Sequence, residues 1–234
     1  LKKTSDLDRW FLFMQGMRAH MSAQIILELA RLAQIAPQQP ALERKENIQQ
    51  QKQAIYAFRN QRLSAYLNVP ICSDDFARTA YGKPFLLAYP QLALNHSHSR
   101  QHYALAYSEQ LQDVGVDVED LDRKVRFESL ARHMFHPDEW ELWQAYGQET
   151  DYWFKVWTTK EAVLKASGLG IRMSLNQLNS GVHPHQQGGF CHHEGLGTFA
   201  YQHLKIGGCM LTVAWRSERS CKGFQFPKLQ LIRH

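Results

Sequence analysis

Asp117 and Glu119 sit two residues apart in GVDVED, where Val114, Val116 and Val118 alternate with Gly115, Asp117 and Glu119. That alternation predicts a half-buried strand with both carboxylates on one face. Like charges placed so close repel, and a bound cation would relieve them. A second set lies in YWFKVWTTKEAVLKASG, residues 152–168, which reads as a helix stopped by Gly168 and Gly170. Trp157, Glu161 and Lys165 follow at i, i+4 and i+8 and share a face, with Lys160 beside them. Read alone, Glu161 and Lys165 equally suit a solvated helix pair, and Asp117 and Glu119 a solvated strand edge. Taken together, three carboxylates suit a hard divalent ion such as Mg²⁺, which takes few carboxylates and shares phosphate oxygens of a substrate. Lysines beside such an ion would neutralise phosphates, which suggests chemistry on a pyrophosphate.

A third stretch, NHSHSR (95–100), offers Ser97 and Ser99 on one strand face and His96 and His98 on the other, with Arg100 next to them. It suits a phosphate contact and equally an ordinary turn. Gly82-Lys83-Pro84 reads as a turn entering a strand.

The elements around these residues predict an α+β protein. HMSAQIILELARLAQIAP (20–37) places Ile25, Ile26, Leu29, Leu32 and Ala33 at helical spacing, and residues 41–68 repeat that pattern. WFLFMQG (10–16) reads as a strand. LALNHSHSR and HYALAYS read as successive strands, with QDVGVDVED as the next neighbour. Residues 124–146 read as a helix broken at Pro137. Residues 179–197, rich in Gly, His, Pro and Gln, read as loop, and FAYQHLKI, CMLTVAW and KLQLI as strands. Both halves run from helices to strands, consistent with an internal duplication. The division expected is 1–112 and 113–234.

Composition bounds the function class. With 44% hydrophobic and 21% charged residues, the 234-residue chain has the profile of a soluble globular protein. A net charge of +5 suits an anionic partner. No long Lys/Arg run points to nucleic acid, and no apolar stretch reaches membrane-spanning length. The opening LKKTSDLDRW lacks an apolar signal-peptide core, and Cys72, Cys191, Cys209 and Cys221 show no CxxC spacing. A cytoplasmic protein with reduced thiols is expected. His183, His185, His192, His193 and Cys191 fit no standard zinc spacing.

The ordered set YGKPFL, NHSHS, GVDVED, FHPDEW and WTTKEAVLKASGLG, spanning residues 81–170, resembles the 4'-phosphopantetheinyl transferase superfamily, in its surfactin-synthetase-activating type. The resemblance implies transfer of 4'-phosphopantetheine from coenzyme A to a serine of an apo acyl or peptidyl carrier protein, releasing 3',5'-ADP. It implies that Asp117, Glu119 and Glu161 hold Mg²⁺, that Glu161 serves as base, and that Lys165 stabilises the leaving nucleotide. Lys160 would contact phosphates, and Lys83, Ser97 and His98 match positions that bind coenzyme A. Glu139 matches an acidic position near the site. His96 stands where relatives usually carry an apolar residue. Arg44, Lys45, Lys52, Arg59 and Arg62 are candidates for the 3'-phosphate. A pseudo-dimer of two similar α+β halves, with the site in the cleft between them and no partner subunit, is the implied architecture. Phe127, Leu130, Met134, Phe135 and Trp140 form the candidate patch for the carrier helix. The rival from another class is a non-catalytic coenzyme A or carrier-binding module on the same fold.

Overall fold

The computed structural model describes residues 23–37, 43–170, 173–217 and 226–234. The strand expected at 10–16, and Cys221, lie outside those residues. The chain runs β1 (Gln24–Arg31), α1 (Leu32–Ile35), α2 (Arg44–Leu67), β2 (Phe76–Arg78), β3 (Pro84–Leu86), β4 (Ala93–His98) and β5 (His102–Ser108). It continues with β6 (Gly115–Asp120), α3 (Phe127–Met134), α4 (Pro137–Ala145), α5 (Thr150–Ser167), β7 (Gly188–His193), β8 (Gly197–Ile206), β9 (Cys209–Arg216) and β10 (Lys228–Arg233).

Two four-stranded sheets carry the fold, ordered β10-β1-β5-β4 and β6-β9-β8-β7. Each is built by the same path: a strand, a covering helix, then a hairpin whose second strand pairs antiparallel with the first strand. The apolar spacing of α2 buries Ile55 and Leu63 against Tyr103, Leu105 and Tyr107 of its sheet. Trp153, Phe154, Val156 and Val163 of α5 pack with Tyr201 and Met210 of the other. The opposite sheet faces meet in a shared core, where Ile25, Leu27, Ala104 and Ala106 join Val116, Val118, Leu211 and Val213. The last strand returns to the first half, since β10 pairs parallel with β1. A division at residue 113 therefore leaves one strand of the first sheet with the second half. None of the described helices is long and apolar enough to cross a membrane.

Three expectations are corrected. The helix expected over 20–37 is mostly strand β1, and only Leu32–Ile35 is helical. A central strand buried on both faces is a near-continuous apolar run, which spacing alone does not separate from a helix. The charge within it is satisfied tertiarily: buried Glu28 accepts from Tyr107 Oη, Arg62 Nε and His234 Nε2 at 2.6–2.8 Å. Next, β6 pairs with β9 rather than β5 and opens the second sheet. Finally, the stretch 179–197 contains strand β7, paired with β8. The helix break at Pro137 is as read, with Pro137 opening α4 after the His136 cap. Gly168 ends α5 at φ 73°, a conformation that favours glycine.

Candidate active site

The site starts from the two faces of β6. Val116 and Val118 enter the core between the sheets. Gly115, Asp117 and Glu119 face the other way, toward α5. A Cβ on Gly115 would lie 2.1 Å from the Ala162 carbonyl oxygen and 2.4 Å from the Ala166 nitrogen. Only glycine lets the helix backbone come this close to the strand. The contact fixes the helix face of Trp157, Glu161 and Lys165 over the two acids.

Lys165 Nζ lies 2.5 Å from Asp117 Oδ1 and 2.9 Å from Ser97 Oγ. Ser97 in turn donates to Asp117 Oδ1 at 2.9 Å. Ser97 belongs to β4 of the first sheet, Asp117 to β6 of the second, and Lys165 to α5, so the three elements meet in one network. Glu119 Oε1 accepts from Trp157 Nε1 at 2.9 Å and from Arg123 at 2.7 Å. The Glu161 carboxyl is held above the usual carboxylate range, first by burial and then by the nearby negative charges of Asp117 and Glu119, with Lys165 opposing. Asp117, Glu119 and Glu161 thus share one electrostatic neighbourhood.

Among the described residues no three His, Cys, Asp or Glu side chains already converge as a metal cluster. Lys165 holds Asp117, and Trp157 and Arg123 hold Glu119. The donor set nevertheless fits a hard cation. It is all carboxylate oxygen, and Asp117 Oδ2 is buried with no hydrogen-bond partner.

Beside Glu119 opens a cavity of about 630 Å³ lined by His98, Ser99, Arg100, Asp120, Arg123 and Lys124 among others. His98 is exposed there. The neighbouring His96 turns inward, edge-on to Tyr56 and beside Tyr103, and burial with the nearby Arg59 pushes its pKa down to about 3. It is therefore a neutral packing residue. Lys83 donates to the Ala166 carbonyl near the end of α5 at 2.6 Å, and burial lowers its pKa. Of the basic residues on α2, Arg62 is committed to Glu28. Arg59 is buried against the rings of Tyr56 and Phe76 and donates to Asn60.

Residues 113–213 match the family model of the 4'-phosphopantetheinyl transferase superfamily. The chain matches that model over less than half of its length. It is 31% identical over 107 residues to a 4'-phosphopantetheinyl transferase of Bacillus subtilis, covering 45% of this chain and 46% of the relative. Identity to the 4'-phosphopantetheinyl transferase HetI of Nostoc sp. is 39% over 114 residues, 47% and 48% of the two chains. The human L-aminoadipate-semialdehyde dehydrogenase-phosphopantetheinyl transferase is 30% identical over 131 residues, 50% of this chain and 42% of the relative. The chain spans about half the length of the curated relatives it matches.

Within the matched region, Lys160 does not face the site. Its side chain is fully buried, and its ammonium reaches Glu139 Oε2 and the Met134 carbonyl at 2.6 Å and the Leu175 carbonyl at 2.8 Å. That placement leaves it no path to a phosphate, so the contact expected for it is corrected to a structural one. One residue apart on a helix is about 100° around the axis, which separates Lys160 from Glu161. Glu139 is the other half of the strut. It also accepts from the His136 and Ser180 backbone N–H groups and the Ser180 hydroxyl. Lys160→Met strands this carboxylate without its cation and is expected to cost roughly 3–5 kcal/mol in urea unfolding. An unchanged unfolding midpoint would remove the strut from the account.

The patch expected over 124–146 divides. Met134 and Phe135 are core, and Phe127 packs edge-on to Trp153 at 5.1 Å. Leu130 is exposed, and Trp140 lines an open cavity of about 620 Å³ under the Arg132 guanidinium.

The sequence reading passed over two residues here. Gly115 gives no signal without its helix partner. Asp120, buried at the end of β6, accepts from Ser99 Oγ, the Gln101 N–H and His102 Nδ1. Burial opposes its ionisation, but these hydrogen bonds win and lower its pKa.

Proposed function

We propose that the chain transfers 4'-phosphopantetheine from coenzyme A to a serine hydroxyl of an apo carrier protein, releasing 3',5'-ADP. The observation that carries this reading is the Ser97–Asp117–Lys165 network with Glu161 beside it, at the meeting of the two sheets, with Asp117, Glu161 and Lys165 inside the region that matches the family model. Coenzyme A would lie in the cleft between the two similar halves, with Ser97, His98 and Lys83 toward its phosphates. Asp117, Glu119 and Glu161 would hold Mg²⁺, which when bound neutralises pyrophosphate charge.

Glu161 would accept the serine proton, directly or through one water. Lys165 sets a positive charge where the departing nucleotide gathers negative charge. Leu130 and Trp140, flanked by Arg132, offer an apolar contact with a basic rim to an acidic carrier helix. The protein would work as a monomer in the cytoplasm.

The test incubates the chain with coenzyme A, Mg²⁺ and an apo carrier protein. The expected result is a carrier heavier by one phosphopantetheine, with 3',5'-ADP in equal amount. Coenzyme A binding without any mass gain would overturn transfer and leave a binding module.

A further inference from the structure

Strands β4 and β6 lie in different sheets and share no backbone ladder. Yet β4 and its tip must stand in register with β6, because His98, Ser99 and Arg100 line the same cavity as Glu119. Side chains alone set that register. Asn95 Oδ1 accepts the Val116 N–H at 3.0 Å, and Ser97 donates to Asp117. The third tie is Asp120, which gathers the whole β4–β5 turn. It takes the Ser99 hydroxyl at 2.7 Å, the Gln101 N–H at 3.0 Å and His102 Nδ1 at 2.6 Å. Both Asp120 and His102 are buried. A carboxylate can only accept, so His102 Nδ1 carries the proton of the pair. The proposed transfer has no use for either residue, and without them the turn's side-chain ties to the second sheet would be the exposed Arg100 and Gln101 contacts to Asp122, beside its own backbone bonds and the Leu32 N–H to the Gln101 carbonyl.

We infer that Asp120 and His102 are positioning residues that hold His98 at the cavity beside Glu119 and thereby set the affinity for the phosphate-bearing cosubstrate. This rests on the proposed reading of coenzyme A as that cosubstrate. Neither residue touches the reacting atoms. Their effect runs through the placement of the turn, where small displacements are costly to binding and orientation.

The experiment measures KM for coenzyme A, kcat with saturating apo carrier, the calorimetric Kd for coenzyme A, and thermal melting. It uses the full chain and its His102→Phe, His102→Asn and Asp120→Asn variants. His102→Phe and Asp120→Asn are expected to raise KM and Kd for coenzyme A about tenfold, the loss of one charge-assisted hydrogen bond, with kcat within about twofold. His102→Asn, whose amide N–H reaches the place of the ring donor, is expected to recover most of the affinity. If His102→Phe does not fold, the size-conserving Asp120→Asn decides.

Unchanged KM and Kd in folded variants, with only melting or kcat lowered, would overturn the inference and leave a purely structural pair. A wild-type chain that binds coenzyme A but transfers nothing overturns the transfer reading alone. The Kd series then still reads out the turn. A wild-type chain that binds no coenzyme A overturns both.

Discussion

Glu161→Gln is expected to lower carrier modification by about 10²–10⁴-fold, the range supplied by a positioned general base. The amide matches the carboxylate in size, so packing against α5's neighbours is kept. It cannot accept the serine proton, and it removes one of three charges from a shared neighbourhood. The folded state should not suffer. Burial and the charges of Asp117 and Glu119 already penalise ionised Glu161, and a neutral side chain escapes that penalty. For a carboxylate whose folded pKa is raised, ionisation above that pKa costs stability, so at neutral pH the variant should melt no lower than the parent. Single-turnover mass spectrometry of the carrier, beside a melting curve, checks both halves. A variant that transfers at the parental rate removes Glu161 as the base.

Gly115→Ala is expected to be severely damaging. Overpacked cores typically lose about 1–3 kcal/mol by shifting side chains, and more when the obstacle cannot move. Here the obstacles are backbone atoms of Ala162 and Ala166, at 2.1 and 2.4 Å from the new methyl. Helix α5 cannot yield locally, because its other face is locked into the aromatic core around Trp153 and Phe154 and into the Lys160–Glu139 strut. A loss of roughly 3 kcal/mol or more in urea unfolding is the expected result. Where folded protein is recovered, α5 must stand farther from β6, and Lys165 and Glu161 leave the Asp117 network. A misplacement of about 1 Å can itself cost 10²-fold in rate. Wild-type stability with wild-type transfer would mean that β6 and α5 do not meet as described.

How much of this was legible beforehand differs by element. The long helices α2 and α5 were readable because their caps and spacing are local. So were β4 and β5, which are short runs bounded by turns. The reading failed at β1, where burial on both faces erases the period that marks a strand. It failed again at the pairing of β6, which follows β5 in sequence but joins β9 across the second half. At the site, Lys160 and Glu161 are adjacent letters that the helix turns to different surroundings, one into a sealed ion pair and the other toward Asp117. Arg62, a candidate phosphate contact in the sequence, turned out to hold a buried glutamate.

By itself the sequence determined which chemistry the chain can offer. Two acids alternate on a strand, and an acid and a lysine share one helix face, because side-chain direction in regular backbone follows from period alone. Only the tertiary structure decided that these faces meet. The meeting depends on a glycine with no side chain to hold the helix off, and on a serine and a buried carboxylate–imidazole pair that register one sheet against another. Such contacts join residues far apart in the chain through packing and desolvation, and no local pattern of residue types encodes which partner will be there.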